Sequence, residues 1–169
     1  MTWNDNSSGA SIHTWRERLA CRERQALSPS DFNLTDLLYR GFRMDDLDDE
    51  GVLDAESLRF PDLSCNWDRF SIPHDVRYRK PKCENDGCYA ITVDVARFKS
   101  FATPVHYPLC NQEPENYSHV EIRELYEAES VTSTPPRNRK NRNKRSKVLR
   151  LEWRVNVVIN LQRLIEPIN

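Results

Sequence analysis

The densest chemistry in the chain is a run of positive charge. Arg137, Arg139, Lys140, Arg142, Lys144, Arg145 and Lys147 place seven basic residues in eleven, spaced by asparagines and a serine, with no apolar residue among them. Such a segment neutralises phosphates and releases their counterions, giving sequence-independent affinity for nucleic acid that falls with salt. The same charge suits an acidic protein surface, including the stretch from Asp45 to Glu56 of this chain, where seven of twelve residues are acidic. The run holds no aromatic side chain to stack on bases.

A second group is the cysteines. Cys83 and Cys88 flank Glu84-Asn85-Asp86-Gly87, and a cysteine pair about a turn is half of a tetrahedral zinc site. Cys65 or His74 would complete it, with Cys110 and His106 as further ligands at a distance. The second pair is not written as a motif, so these read first as strand-end residues and no cofactor is expected. Asp46-Leu47-Asp48-Asp49-Glu50-Gly51 opens like a calcium-binding loop, but its twelfth position is Ser57 where a bidentate glutamate is required. It reads as solvated acid.

His119-Val120-Glu121 would put an imidazole and a carboxylate on one face of a strand. With Pro81-Lys82-Cys83 and Cys88 it is similar in its ingredients to the zinc deaminases. Those enzymes place the His-x-Glu before the cysteine pair, whereas here it follows, and that reading is set aside. Leu38-Tyr39-Arg40-Gly41 resembles the arginine-bearing strand that opens the NAD site of ADP-ribosyltransferases. The resemblance covers one short strand and implies a serine-bearing strand and a late glutamate, parts that Ser64 and Glu121 would fill. It implies a small NAD-using transferase.

The elements that must position these residues read as α+β: a small antiparallel sheet with an N-terminal surface helix and a C-terminal core strand or helix. His13 to Leu27 carries Trp15 and Leu19 on one side of a helical pattern and charge on the other. Ser28-Pro29 starts a short helix reaching about Leu38, and Tyr39 to Arg43 alternates as a strand. Ser57 to Pro73 is irregular, anchored by Phe60, Leu63, Trp67, Phe70 and Ile72. Val76 to Arg79 and Tyr89 to Val95 read as a hairpin about Asp86-Gly87. Pro104 to Leu109 reads as an edge strand and Tyr117 to Leu125 as another strand. From Leu149 to Leu161 every odd position is apolar, yet Leu149, Trp153, Val157, Leu161 and Leu164 also form a helical stripe. The counts favour strand first and helix after. Either way the segment is core, so the basic run at 131–147 is a flexible loop tethered at both ends.

Composition narrows the function classes. At 169 residues the chain makes one domain, 11–169, after a disordered start at 1–10. Four glycines argue against a phosphate cradle. No stretch has the apolar length of a signal peptide or membrane span, so a cytoplasmic protein is expected, or a nuclear one in a eukaryote, with no membrane partner. Five cysteines without an export signal are expected to stay reduced. The glycosylation patterns at Asn33 and Asn116 are then idle. The net charge of −1 divides into −9 over residues 1–136 and +8 over residues 137–169. The leading expectation is a non-enzymatic binding or adaptor protein acting on nucleic acid or an acidic surface through the basic loop. The alternatives are an ADP-ribosyltransferase-like enzyme through Arg40, Ser64 and Glu121, and a protein–protein interaction domain.

Overall fold

The computed structural model describes residues 10–59, 63–80, 83–125 and 144–165. Its centre is a six-stranded antiparallel sheet in the order β6-β7-β2-β1-β5-β8. The strands are β1 (Leu37–Phe42), β2 (Leu63–Trp67), β5 (Gly87–Thr92), β6 (Ala102–His106), β7 (His119–Glu124) and β8 (Gln162–Ile165). A separate ribbon pairs β3 (Tyr78–Lys80) with β4 (Cys83–Glu84). Among the described residues three α-helices accompany them: α1 (Ala10–Leu19), a single turn α2 (Val93–Ala96) and α3 (Lys144–Asn160). The fold is α+β. No described helix is long and apolar enough to cross a membrane.

Several local expectations are corrected. The helix after Ser28 is only a 3-10 turn, Pro29–Asp31, closed by a reciprocal capping box between Ser28 and Asp31; Leu37 and Leu38 already belong to β1. The section read as irregular contains β2, a central strand. Leu63, Cys65 and Trp67 face the core while Ser64 and Asn66 face the other way, an alternation too short and too poor in strand formers to stand out. The hairpin about Asp86-Gly87 does not form, because β4 pairs back with β3 and β5 pairs with β1 along Leu37↔Thr92 to Phe42↔Gly87. After Thr92 the chain turns helical rather than continuing as strand, since the Thr92 hydroxyl caps the amide of Val95. β6 is an edge strand, which accommodates Pro104 opposite Ile122.

The C-terminal segment reverses the expected order: helix first, then strand. Trp153 and Val157 of α3 are fully buried, whereas Leu151, Val155 and Ile159 are exposed. The four-residue stripe, not the odd-numbered one, meets the sheet. Arg154 reaches from α3 to Glu56 at 3.1 Å, and Arg163 of β8 donates to the carbonyl of Gly51. The acidic stretch therefore receives two arginines from the basic C-terminal part.

One face of the sheet forms the main core, with Leu38, Phe42, Leu63, Trp67, Ile91 and Ile122 under α3. Beside it lies a cluster in which Phe32 stacks on Trp67 at 3.9 Å and Phe70 and Tyr117 surround His106. His106 is buried as a neutral imidazole. Its Nδ1 accepts the Leu27 amide at 2.9 Å, so Nε2 carries the proton donated to the Tyr117 carbonyl at 2.6 Å. Burial, with His119, Arg24 and Arg69 nearby, lowers its pKa below the ordinary 6.5. The unfolded chain therefore takes up this proton first as pH falls. The stability that His106 contributes is complete above pH 6.5 and is lost below it, by at most about 1.4 kcal/mol per pH unit. Denaturant titrations between pH 7.5 and 5.5 should show this slope, and His106→Asn, which keeps a donor and an acceptor, should flatten it.

Candidate functional site

The opposite face of the sheet is polar at its centre. Register sets Ser64 of β2 opposite Glu121 of β7, and Asn66 opposite both His119 of β7 and Tyr39 of β1. These five side chains occupy alternate positions on one face. They floor a cavity of about 350 Å³. Its walls are Trp15 and Leu19 of α1, the stretch from Leu109 to Asn116, and Asp75, Val76 and Asn85.

Arg40 enters differently. Alternation aligns it with the core side, opposite Tyr89, but β1 and β2 part after Tyr39 and its guanidinium fills the gap, Nη1 donating to the Ser64 carbonyl at 2.9 Å. Arg40, Ser64 and Glu121 all line the cavity.

Each cavity carboxylate has a partner. Asp75 takes a two-pronged contact from Arg18, Nε at 2.9 Å and Nη2 at 3.1 Å, and this hydrogen bonding raises the pKa of Arg18. Glu115 accepts the Cys21 amide at 2.8 Å, and Glu121 accepts Nε of Arg123 at 2.7 Å. With three carboxylates and Arg40 as the lining cation, the cavity favours neutral or cationic ligand groups near Glu121 over phosphate. Hydrogen-bonding groups supply the rest. Asn116 donates to Asn66 at 2.9 Å and accepts from Ser118 at 2.7 Å. Burial, then the charge of Asp68, raises the Tyr39 phenol, so at neutral pH it keeps its proton. His119 Nδ1 lies 2.8 Å from the Tyr107 carbonyl, which can only accept. Nδ1 therefore carries the proton in the neutral ring, leaving Nε2 as its basic nitrogen.

Gly41 makes the floor possible. A Cβ there would overlap the Asn85 side chain, whose own Cβ lies 2.8 Å away and whose amide donates to the Val76 carbonyl. Gly41→Ala should displace Asn85 from the cavity and destabilise the fold by about 1–3 kcal/mol. A thermal melt would register the loss.

Of the residues that the zinc reading named, Cys65 and Cys88 are both buried, Cys65 in the main core and Cys88 packed with Tyr39, Val76 and Ala90. Burial pushes the Cys88 thiol up, which keeps it protonated. His74 sits in the 3-10 turn Pro73–Arg77, and Cys83 in β4. Among the described residues no three His, Cys, Asp or Glu side chains are placed to hold a metal. The expectation of reduced thiols is corrected in one pair: Cys21 and Cys110 form a disulfide across 89 residues. Parity of the count was a poor guide, because pairing depends on which cysteines the fold brings together.

Of the basic run, Arg137, Arg139, Lys140 and Arg142 lie outside the described residues, as does most of the 131–147 loop. Lys144 and Arg145 open α3, and Lys147 is exposed on it. The N-terminal residues 1–9 also lie outside. Asn66, Asp75, Gln112 and Glu115 escaped the reading of the sequence, because they lie on unrelated strands and loops with no common spacing. Asn116 was visible only as a glycosylation pattern, whereas its amide is engaged with Asn66 and Ser118. The chain matches no family model, no curated protein and no solved structure.

Proposed function

We propose that the protein works through this cavity as a small glycosyl-transferring enzyme that takes a nicotinamide nucleotide, in the manner that the likeness of Leu38-Tyr39-Arg40-Gly41 to ADP-ribosyltransferases implies. The observation that carries the reading is the convergence of Arg40, Ser64 and Glu121, from three different strands, on one cavity. A carboxylate in a mainly polar, partly enclosed site suits a sugar whose C1′ becomes cationic as the bond to nicotinamide breaks. The leaving nicotinamide takes the bonding electron pair. An acceptor, water in the simplest case, adds to C1′ and gives its proton to Nε2 of His119. Arg40 holds the β1–β2 gap open and is a lining cation for a ribose oxygen.

The test is release of nicotinamide from NAD by the purified protein. Release that Arg40→Ala reduces at least about tenfold supports the reading. Absence of both turnover and calorimetric binding of NAD sinks it.

A second reading, nucleic-acid binding through the basic run, is favoured by the excess of ten basic over two acidic residues in 137–169 and by the exposure of Lys147. It assigns the protein an accessory role on a polyanion. Replacing Arg139, Lys140, Arg142, Lys144 and Arg145 by alanine should weaken binding and flatten the salt dependence by about 0.9 for each phosphate that is no longer neutralised. Unchanged low-salt affinity would end this reading.

A further inference from the structure

The cavity wall is built from two segments that the fold does not otherwise join covalently. α1 brings Trp15 and Leu19, and the stretch from Leu109 to Asn116 brings Gln112, Pro114 and Glu115. The Cys21–Cys110 disulfide ties one to the other just beyond the end of α1. Immediately after Cys21 the backbone is unusual. Arg22 and Glu23, neither of them glycine, both adopt left-handed φ values, 48° and 62°. Such a pair is costly for residues with a Cβ and persists only where the surroundings impose it. Arg24 closes the turn, its amide and its Nε both donating to the Cys21 carbonyl.

We propose that Cys21–Cys110 is a redox latch on the cavity. Oxidised, it clamps α1 against the segment from Leu109 to Asn116 and holds the strained turn. Reduced, it lets the turn relax and the wall part, so that ligand enters and leaves faster. Other ties across this wall are non-covalent: the Tyr117 amide donates to the Leu19 carbonyl at 2.7 Å, the Cys21 amide to Glu115, Arg18 to Asp75 and the Tyr117 hydroxyl to the Gln25 carbonyl, and Arg24 lies over the Tyr117 ring, while the Arg16–Glu113 pair is solvent-exposed and contributes little. A ten-residue helix does not persist on its own. Cys21 is buried and Cys110 only partly so, which sets the order of attack. The thiolate of a dithiol reductant forms a bond to Sγ of Cys110, and Cys21 leaves as the thiolate and is protonated. The second thiol of the reductant then displaces Cys110, so the reductant ends as a disulfide and two electrons and two protons rest on the protein as thiols.

Hydrogen exchange on the full chain, with and without dithiothreitol, tests the latch. The amides of Cys21 and Tyr117 should exchange at least about tenfold faster after reduction, while those of β1 and β5 keep their protection. Cys110→Ser should reproduce the reduced pattern without reductant. Unchanged Cys21 and Tyr117 amides would reduce the disulfide to a static staple, and acceleration of all strands together would make it a support of the whole fold; either result overturns the latch. The use of the latch rests on the cavity being a ligand site. NAD serves as the probe for that: if neither the oxidised nor the reduced protein binds or cleaves NAD, the proposed enzyme falls, while the exchange result stands by itself.

Discussion

Glu121→Gln should lower NAD cleavage by about 100- to 1,000-fold while leaving the melting temperature nearly unchanged. The size follows from what the substitution removes: a fixed negative charge facing a centre that gains positive charge only in the transition state, a loss of about 3–4 kcal/mol of barrier stabilisation. The fold should tolerate it. Glu121 is mostly buried and its Oε2 accepts Nε of Arg123 at 2.7 Å, and glutamine keeps an oxygen able to accept from the same arginine. The pair also sits where β7 is already zipped to β2 and β6, with Glu121 in register with both Ser64 and Val105. A loss divided equally between kcat and kcat/KM, with KM steady, would place the carboxylate in the transition state alone. A rise in KM with kcat unchanged would make Glu121 a ground-state binding group, and unchanged kinetics would remove it from the chemistry. His119→Gln should also lower cleavage in the same assay, because it retains a donor toward the Tyr107 carbonyl but has no basic nitrogen to take the acceptor's proton.

The strands nearest the cavity were partly legible and the cavity itself was not, for physical reasons. The alternation in Tyr39 to Arg43 and in Tyr117 to Leu125 is a local property, so β1 and β7 appear in the sequence at nearly their true places. The likeness that joined Arg40 to Ser64 and Glu121 named residues from β1, β2 and β7 without any means of placing β2, which looked irregular. What makes those three neighbours is strand order, β7-β2-β1, and strand order depends on contacts between residues far apart in the chain. The walls were less legible still. Asp75, Gln112 and Glu115 belong to a 3-10 turn and to a loop, where no periodicity announces a side chain's direction.

The cysteines illustrate the same division. Cys83 and Cys88 attracted a metal reading because they are close in sequence, yet the pair that bonds is the one separated by 89 residues. Cys88 packs with Tyr39, Val76 and Ala90 as a small apolar residue would, its thiol pushed up by burial. Short-range spacing is good evidence for a turn and poor evidence for a covalent partner.

Trp153→Ala should cost about 3–5 kcal/mol, against a total stability on the order of 5–15 kcal/mol for a domain. Trp153 is the point at which α3 is fastened to the rest of the molecule. Its side chain is fully buried, its indole N–H donates to the Ala96 carbonyl at 2.8 Å, and its ring lies against Phe101. The Ala96 carbonyl ends a one-turn helix and has no intrahelical partner to spare, so deletion of the indole removes packing and strands an acceptor together. Trp153→Phe separates the two: it keeps most of the packing and should lose about 1–3 kcal/mol through the unpaired carbonyl. Urea titrations would read both variants, with the midpoint falling and the slope unchanged if the domain still unfolds as one unit. Nothing comparable is expected of Leu151→Ala or Ile159→Ala on the exposed side of α3. If those two cost as much as Trp153→Ala, the odd-numbered stripe would be the buried one after all, and the segment would be a strand in solution.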